Sequence, residues 1–371
     1  MASLQQLSLT HFKNYLHTEF RFNSRIVGIV GKNGVGKTNL LDAIYYLCFT
    51  KSYFIPSDLQ LVERESVGFR VAGLFDLGHH TPTPVTAVLR ENGKKEISFG
   101  GQVYSRVSAH IGTIPAVIIV PDDIQIITGA PEMRRKMYDA LLCQLNEAYL
   151  QNLMAYNKLL LQRNTLLKQM QENPGRLNDV LHAIDIQLAE KGSYIYEQRK
   201  TQLTPYLQEA TNHYHKIAAP KDQGQPDPVQ LQYISEAATL LPGPQAYLKK
   251  LQQGLAKDLV LGRTGFGIHR DDLQLLLHQS PFRQMASQGQ RKSMLFALKL
   301  TEYEWLQRAK GFAPILLLDD VFEKLDQDRM QNLLHEVCVE KNGQVFITDT
   351  HRARLEKAIS QTGIPYQIIE L

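Results

Sequence analysis

The sequence predicts an α/β fold interrupted by a mostly helical second lobe, and three observations predict it. Short alternating and apolar runs separated by Gly, Pro and Asn fill the first 120 residues, a heptad rhythm takes over from Leu145, and strand-like apolar runs return after Gly262. The chain has 371 residues, and at about 150 residues per domain two or three domains are expected. With 43% hydrophobic and 21% charged residues it can bury a sizeable core. The longest unbroken apolar stretches, such as Ala116 to Val120 and Ile315 to Leu318, fall far short of the roughly 18 residues of a membrane span, so no membrane partner is expected. The opening MASLQQLSLT lacks a basic segment followed by an apolar one, which points to the cytoplasm. Cys48, Cys143 and Cys338 are scattered and odd in number, which argues against a disulfide framework or a zinc site. A net charge of +4 is compatible with nucleic acid and too mild to argue for it.

Taken in order, Leu4 to Leu9, Phe20 to Phe22 and Arg25 to Val30 read as strands, the last ending in a glycine-rich loop. From Thr38 the apolar residues Leu40, Leu41, Ala43, Ile44 and Leu47 recur at helical spacing, so the loop joins a strand to a helix. Arg70 to Phe75, Val85 to Arg90 and Glu96 to Phe99 resemble further strands, with Asn92-Gly93 as a hairpin signal. Past Pro121 the texture changes: Tyr149, Leu153, Tyr156, Leu160, Leu167 and Met170 follow a heptad rhythm up to Asn173-Pro174-Gly175, and Leu177, Leu181, Ile184, Leu188 and Ile195 follow a second one. These predict an antiparallel helical hairpin with arms of about 25 residues, roughly 40 Å long, either protruding or packed as core helices of a bundle. Lys221 to Pro228 reads as an exposed loop and Gln245 to Lys257 as a short helix. After Gly262 come a strand at Leu273 to Leu277, a helix from Gln290 to Gln307, and two apolar strands, Ile315 to Leu318 and Gln344 to Ile347, that look buried on both faces. The two ends of the chain are therefore expected to share one sheet, with residues 1–130 and 261–371 forming one body and 131–260 the helical insertion.

Two motifs carry chemistry by themselves. Gly31-Lys32-Asn33-Gly34-Val35-Gly36-Lys37-Thr38 satisfies GxxxxGK[ST], directly after an apolar strand and directly before a helix. Glycines let backbone N–H groups turn around a phosphate, Lys37 reaches the outer phosphates, and the Thr38 hydroxyl ligates Mg²⁺. Ile315-Leu316-Leu317-Leu318-Asp319-Asp320 is an apolar strand ending in two acids. Asp319 is expected to hold Mg²⁺ and Asp320 to position and deprotonate the attacking water, a division of labour that needs adjacent carboxylates.

Ser287-Gln288-Gly289-Gln290 stands 28 residues ahead of the acidic pair, before a helix. It resembles the signature motif of ABC-type ATPases, although as a bare pattern it is also an ordinary N-cap. Phe12-Lys13-Asn14-Tyr15, Pro121-Asp122-Asp123-Ile124, Gly129-Ala130-Pro131 with Arg134-Arg135, Gly267 to Leu273 (GIHRDDL) and Leu316 to Asp326 (LLLDDVFEKLD) follow in an order similar to that of the RecF family, recombination and repair ATPases related to the SMC and Rad50 heads. The resemblance spans roughly residues 1–140 and 262–350. It departs at Ile268 and Ala286, where relatives usually carry Pro and Gly. Neither change removes a phosphate ligand.

The resemblance implies an ABC-type P-loop ATPase head with the helical lobe inserted. It implies that Ser287, Gly289, Gln290 and the helix they open bind the γ-phosphate of ATP held by a second copy, so that ATP joins two heads and Ser287 shares in catalysis with Lys37 and Asp320. Lys13 and Asn14 would contact the nucleotide, unless they are exposed polar residues between strands. Asp326 would touch the opposite subunit, or cap the helix entering at Gln327. His351 is a switch histidine or a surface one, and Thr350 or Asp349 could align at the switch position instead. Arg134, Arg135 and Lys136 would meet DNA phosphate, or Arg135 would pair with Asp139; His269, Arg270, Asp271 and Asp272 would form an interlobe ion-pair network. The implied function is a weak, DNA-stimulated ATPase of recombinational repair and replication-fork maintenance, using ATP and Mg²⁺. Its implied partners are gapped duplex or double-strand/single-strand junction DNA, an ATP-dependent homodimer, and RecR- and RecO-type mediators. Two other readings share the motifs. A transporter's nucleotide-binding subunit normally has its signature much closer to the P-loop than the 250 residues from Lys37 to Ser287, and an SMC-type tether needs coiled coils far longer than this insertion.

Overall fold

The computed structural model describes residues 2–78, 81–172, 178–218, 227–322 and 327–371. The turn at Asn173-Pro174-Gly175, most of the Lys221 to Pro228 loop, and Asp326 lie outside the described residues. The chain forms two compact units, one of residues 1–123 and 299–371, the other of residues 124–298.

In the first unit, strands β1 (Ser3–Phe12) and β2 (Tyr15–Arg21) form a hairpin, and β3 (Ile26–Val30) leads through the glycine-rich loop into helix α1 (Lys37–Phe49). Strands β4 (Phe69–Asp76), β5 (Thr83–Leu89), β6 (Lys95–Phe99) and β7 (Gln102–Val103) continue as a meander before β8 (Ala116–Ile119). The second unit follows with α2 (Ile124–Thr128), α3 (Pro131–Leu145), α4 (Glu147–Glu172), α5 (Asn178–Ala218), β9 (Val229–Ile234), α6 (Pro244–Gln253), α7 (Leu255–Leu261), β10 (Asp272–Leu277), β11 (Ser280–Pro281) and α8 (Phe282–Met285). Helix α9 (Gln288–Lys310) starts in that unit and ends in the first. It is succeeded by β12 (Ile315–Leu318), α10 (Gln327–Leu334), β13 (Val345–Asp349), α11 (Arg352–Ser360) and β14 (Tyr366–Glu370).

Two sheets build the first unit. The parallel one has the order β14-β3-β13-β12-β8, so strands from both ends of the chain share it, as the apolar runs predict. Its inner strands β3, β12 and β13 are buried at every residue, the pattern of a sheet covered on both faces. The other sheet, β2-β1-β4-β5-β6-β7, is antiparallel and alternates: β4 buries Phe69, Val71, Gly73 and Phe75 and turns Arg70 outward. Helix α1 packs against both sheets, which is why it is apolar almost all round rather than along one stripe.

In the second unit both heptad arms are helical and pack on each other and on α6, α7 and β9. The second arm is 41 residues, not about 25. Beyond Ile195 the apolar stripe continues as Leu203, Tyr206, Leu207, Ala210 and Tyr214, all buried, through a charged stretch and past Pro205 that hide it in the sequence. Residues 261–298, expected with the ATPase head, group with this unit because β10 pairs along its whole length with β9 of the insertion. Among the described residues no helix is long and apolar enough to cross a membrane.

Candidate functional site

Strand β3, between β14 and β13 in the parallel sheet, ends at Val30, and its loop turns there into the N-terminus of α1. Two glycines make the turn. Gly34 has φ 85° on the open side of the loop, with no heavy atom within 4 Å of where a Cβ would stand. Gly36 has φ 115°, and a Cβ there would lie 2.6 Å from Nδ2 of Asn14. Lys32, Asn33 and Gly34 are exposed, whereas Lys37 is buried and its ammonium donates to the carbonyls of Gly31 at 2.8 Å and Lys32 at 3.1 Å. The loop is therefore spanned from inside by a cation, with Lys32 on the exposed side.

The acidic pair reaches the same point from the far end of the chain. Strand β12 lies between β8 and β13, and Asp319 directly follows it. Thr38 Oγ1 donates to Asp319 Oδ2 at 2.9 Å, a bond that joins residues 281 apart in sequence. Thr348 of β13 donates to Oδ1 at 2.8 Å. Burial pushes the Asp319 carboxyl pKa up, and the hydrogen bonds from Thr348 and Thr38 and the charge of Lys37 pull it back. Asp320 sits at φ 44°, in the left-handed region that side chains avoid. A buried carboxylate, an adjacent hydroxyl and a buried ammonium beside a glycine loop could together hold a metal-bound phosphate chain.

Asn14 and Lys13 separate in the structure. Asn14 lies on the loop: its Nδ2 donates to the Val35 carbonyl at 3.1 Å and its Oδ1 accepts from Asn39 at 2.7 Å, while the Tyr15 hydroxyl donates to the Gly36 carbonyl at 3.1 Å. Lys13 is turned inward, with its ammonium 2.5 Å from the fully buried Asp42 carboxylate and over the Phe54 ring. That carboxylate also accepts from Ser52 Oγ and Tyr53 N, so a buried anion on α1 competes for the lysine. Sequence reasoning gives Asn39 and Thr348 no role and Tyr15 none beyond its place in the Phe12-Lys13-Asn14-Tyr15 run; for Thr348 the one available signal is its position at the end of an apolar strand.

In the second unit Ser287 and Gln290 close on each other at the start of α9. Ser287 Oγ accepts the Gln290 N–H at 3.2 Å and Gln290 Oε1 accepts the Ser287 N–H at 2.8 Å, a reciprocal capping box. The Gln290 amide also donates to Asp227 at 2.7 Å. Ser287 is exposed and Gly289 half-buried, so the start of a 23-residue helix faces outward here.

A family model described as the RecF/RecN/SMC N terminal domain matches residues 3–69. The DNA replication and repair protein RecF of Flavobacterium johnsoniae is 39% identical over 368 residues, covering 99% of both chains, and that of Bacteroides fragilis is 34% identical over 99% of this chain and 96% of its own. The chain belongs to the RecF family. The solved structure of the recombination mediator protein RecF-ATPrS in the RecFOR pathway superposes with a TM-score of 0.87 at 29% identity, covering 95% of this chain and 93% of its own. An Smc head domain from Pyrococcus furiosus superposes at 0.54 with 16% identity over 100% of this chain and 93% of its own, a likeness of fold alone.

Within this RecF-family chain the basic cluster of α3 is engaged in its own unit. Arg134 pairs with Asp272 at 2.6 Å, Arg135 donates to the Asp271 carbonyl at 2.6 Å, and Lys136 pairs with Glu132 at 2.8 Å. The expected Arg135–Asp139 pair gives way because the buried Arg199 takes Asp139, at 3.0 Å, together with Asp271, at 2.8 Å. Asp271 and Asp272 thus serve a network inside the second unit. His269 Nε2 lies 3.2 Å from the Thr264 carbonyl and Nδ1 2.8 Å from the Tyr156 hydroxyl, so the ring is the neutral Nε2–H tautomer. His351 is exposed at the head of α11, its N–H on the Asp349 carboxylate at 2.7 Å.

Proposed function

We propose that this chain binds and hydrolyses ATP with Mg²⁺ and pairs with a second copy through that ATP, as a DNA-bound switch of recombinational repair. The observation that carries the reading is the Thr38–Asp319 bond, which brings the threonine of the P-loop and the acid of an apolar strand together across 281 residues. Lys37, now bonded to loop carbonyls, exchanges them for phosphate oxygens, and the N–H groups of Gly34, Val35 and Gly36 face the phosphates with Gly31, Lys32 and Asn33 shaping the turn. Thr38 and Asp319 would hold the magnesium ion, which when bound neutralises phosphate charge. Asp320 orients and deprotonates water. Asn14 fixes the loop edge next to the nucleotide, and Asp326 is assigned to the partner contact.

Ser287, Gly289 and Gln290 offer a hydroxyl and an outward helix N-terminus to the terminal phosphate held by the other copy. Contacts made only in the pair give ATP a higher affinity for the closed dimer, and hydrolysis removes that difference. The names of the relatives, a DNA replication and repair protein and a recombination mediator in the RecFOR pathway, support a DNA target and RecR- and RecO-type partners; within this reading the DNA is a gapped duplex or a double-strand/single-strand junction. The test is Ser287→Arg. It should bind ATP like the parent protein and stay monomeric with ATP in sedimentation, whereas ATP-dependent dimers of normal affinity would rule out the composite site.

A further inference from the structure

Where β12 ends, the sheet loses a ladder and one side chain takes its place. The parallel pairing of β12 with β13 stops at Leu318 and Ile347, while β13 runs on beside β3 through Thr348 and Asp349. Asp319 still donates its N–H to the Ile119 carbonyl of β8 at 2.9 Å. The next residue, Asp320, has turned to φ 44°, and its N–H donates to Oγ1 of Thr348 at 2.8 Å. That same hydroxyl donates its proton to Asp319 Oδ1 at 2.8 Å. Thr348 is fully buried, so its hydroxyl is committed in both senses, accepting from one acid's backbone and donating to the other's carboxylate.

We infer that Thr348 is the positioning residue of the acidic pair: one hydroxyl sets the plane of the Asp319 carboxylate and holds the backbone turn that aims Asp320. The inference rests on the reading of Asp319 as magnesium ligand and Asp320 as the residue that handles water. Thr38 meets Asp319 from the other side, mainly at Oδ2, so the carboxylate is fixed between two hydroxyls. Outer partners of this kind orient a ligand and raise its affinity for the metal without touching it. Valine has the same shape and can neither donate nor accept; serine keeps both functions and loses only a methyl.

The test uses the full-length Thr348→Val and Thr348→Ser proteins, with Asp319→Asn and Lys37→Ala as references. Binding of a fluorescent ATP analogue is followed as Mg²⁺ is titrated, and single-turnover hydrolysis is measured at saturating Mg²⁺. Thr348→Val should raise the Mg²⁺ concentration for half-maximal binding about tenfold and slow hydrolysis, and Thr348→Ser should stay close to the parent in both. A valine protein with the parent's Mg²⁺ requirement, beside an Asp319→Asn protein whose requirement has risen, overturns the inference. So does a serine protein as defective as the valine one, because the methyl rather than the hydroxyl would then matter. Should circular dichroism find the valine protein unfolded, Thr348→Cys, a weak donor of similar size, takes its place with the same expectation, and a parental Mg²⁺ requirement there overturns the inference equally. Normal analogue binding by Lys37→Ala, or an unchanged Mg²⁺ requirement in Asp319→Asn, would instead remove the reading on which the inference rests.

Discussion

At the residue scale the candidate site is a set of polar groups packed beside one another and satisfied by one another. Lys37 bridges the loop carbonyls, Thr38 and Thr348 hold Asp319, and Asn14 and Tyr15 hold the loop's outer edge. Asp320 is bonded to Thr348 through its backbone N–H, so its side chain can be changed without removing that bond. Asp320→Asn should therefore keep ATP binding and slow hydrolysis by about a hundredfold or more, accumulating the ATP-bound dimer. Rapid-quench hydrolysis at the parental rate would take Asp320 out of the water-handling role. The P-loop and acidic pair were legible because their chemistry demands particular residue types in a row. Lys13 was not: its fate is decided by Asp42, whose side chain is drawn into a fully buried pocket by Ser52 and Tyr53, and nothing in the spacing of those residues announces it.

At the element scale, strands and helices declared themselves where burial is periodic. Strands β3, β12 and β13 read as apolar runs because the sheet is covered on both faces, and α4 reads as a heptad. Strand β9 did not, since its residues alternate only between half-buried and exposed, and the far half of α5 was masked by charge and by Pro205. The helical unit also buries groups that no amphipathic pattern foretells. His269 is held neutral between Tyr156 and Thr264, and burial together with the positive charges of Arg270, Arg135 and Arg163 lowers its pKa to about 4. Below its ordinary pKa of about 6.5 the unfolded chain takes up a proton that the folded one refuses, so stability falls with falling pH from about 6.5 to about 4. Between pH 7 and pH 5 the parent should lose about 2 kcal/mol more than a His269→Gln protein in urea unfolding. Asp185 and Asp271, whose carboxyl pKa values burial raises, act with the opposite sign in both proteins and cancel in the comparison. Equal losses would place His269 outside this balance.

At the scale of the whole molecule, the sequence showed that its two ends share a sheet, and the Thr38–Asp319 bond is the consequence. What it could not show is to which unit residues 261–298 belong, because β10 finds its partner in β9, a strand without a sequence signal of its own. The signature residues Ser287, Gly289 and Gln290 accordingly stand in one unit and the P-loop in the other. In the proposed function ATP joins two copies on DNA. Sedimentation and ATP turnover measured together, with and without gapped duplex DNA at low and high salt, test it most directly. Dimers that form only with ATP, and turnover that DNA stimulates at low salt and loses as salt rises, are the predicted result. ATP-dependent dimers and turnover that ignore DNA at both salt concentrations would contradict it.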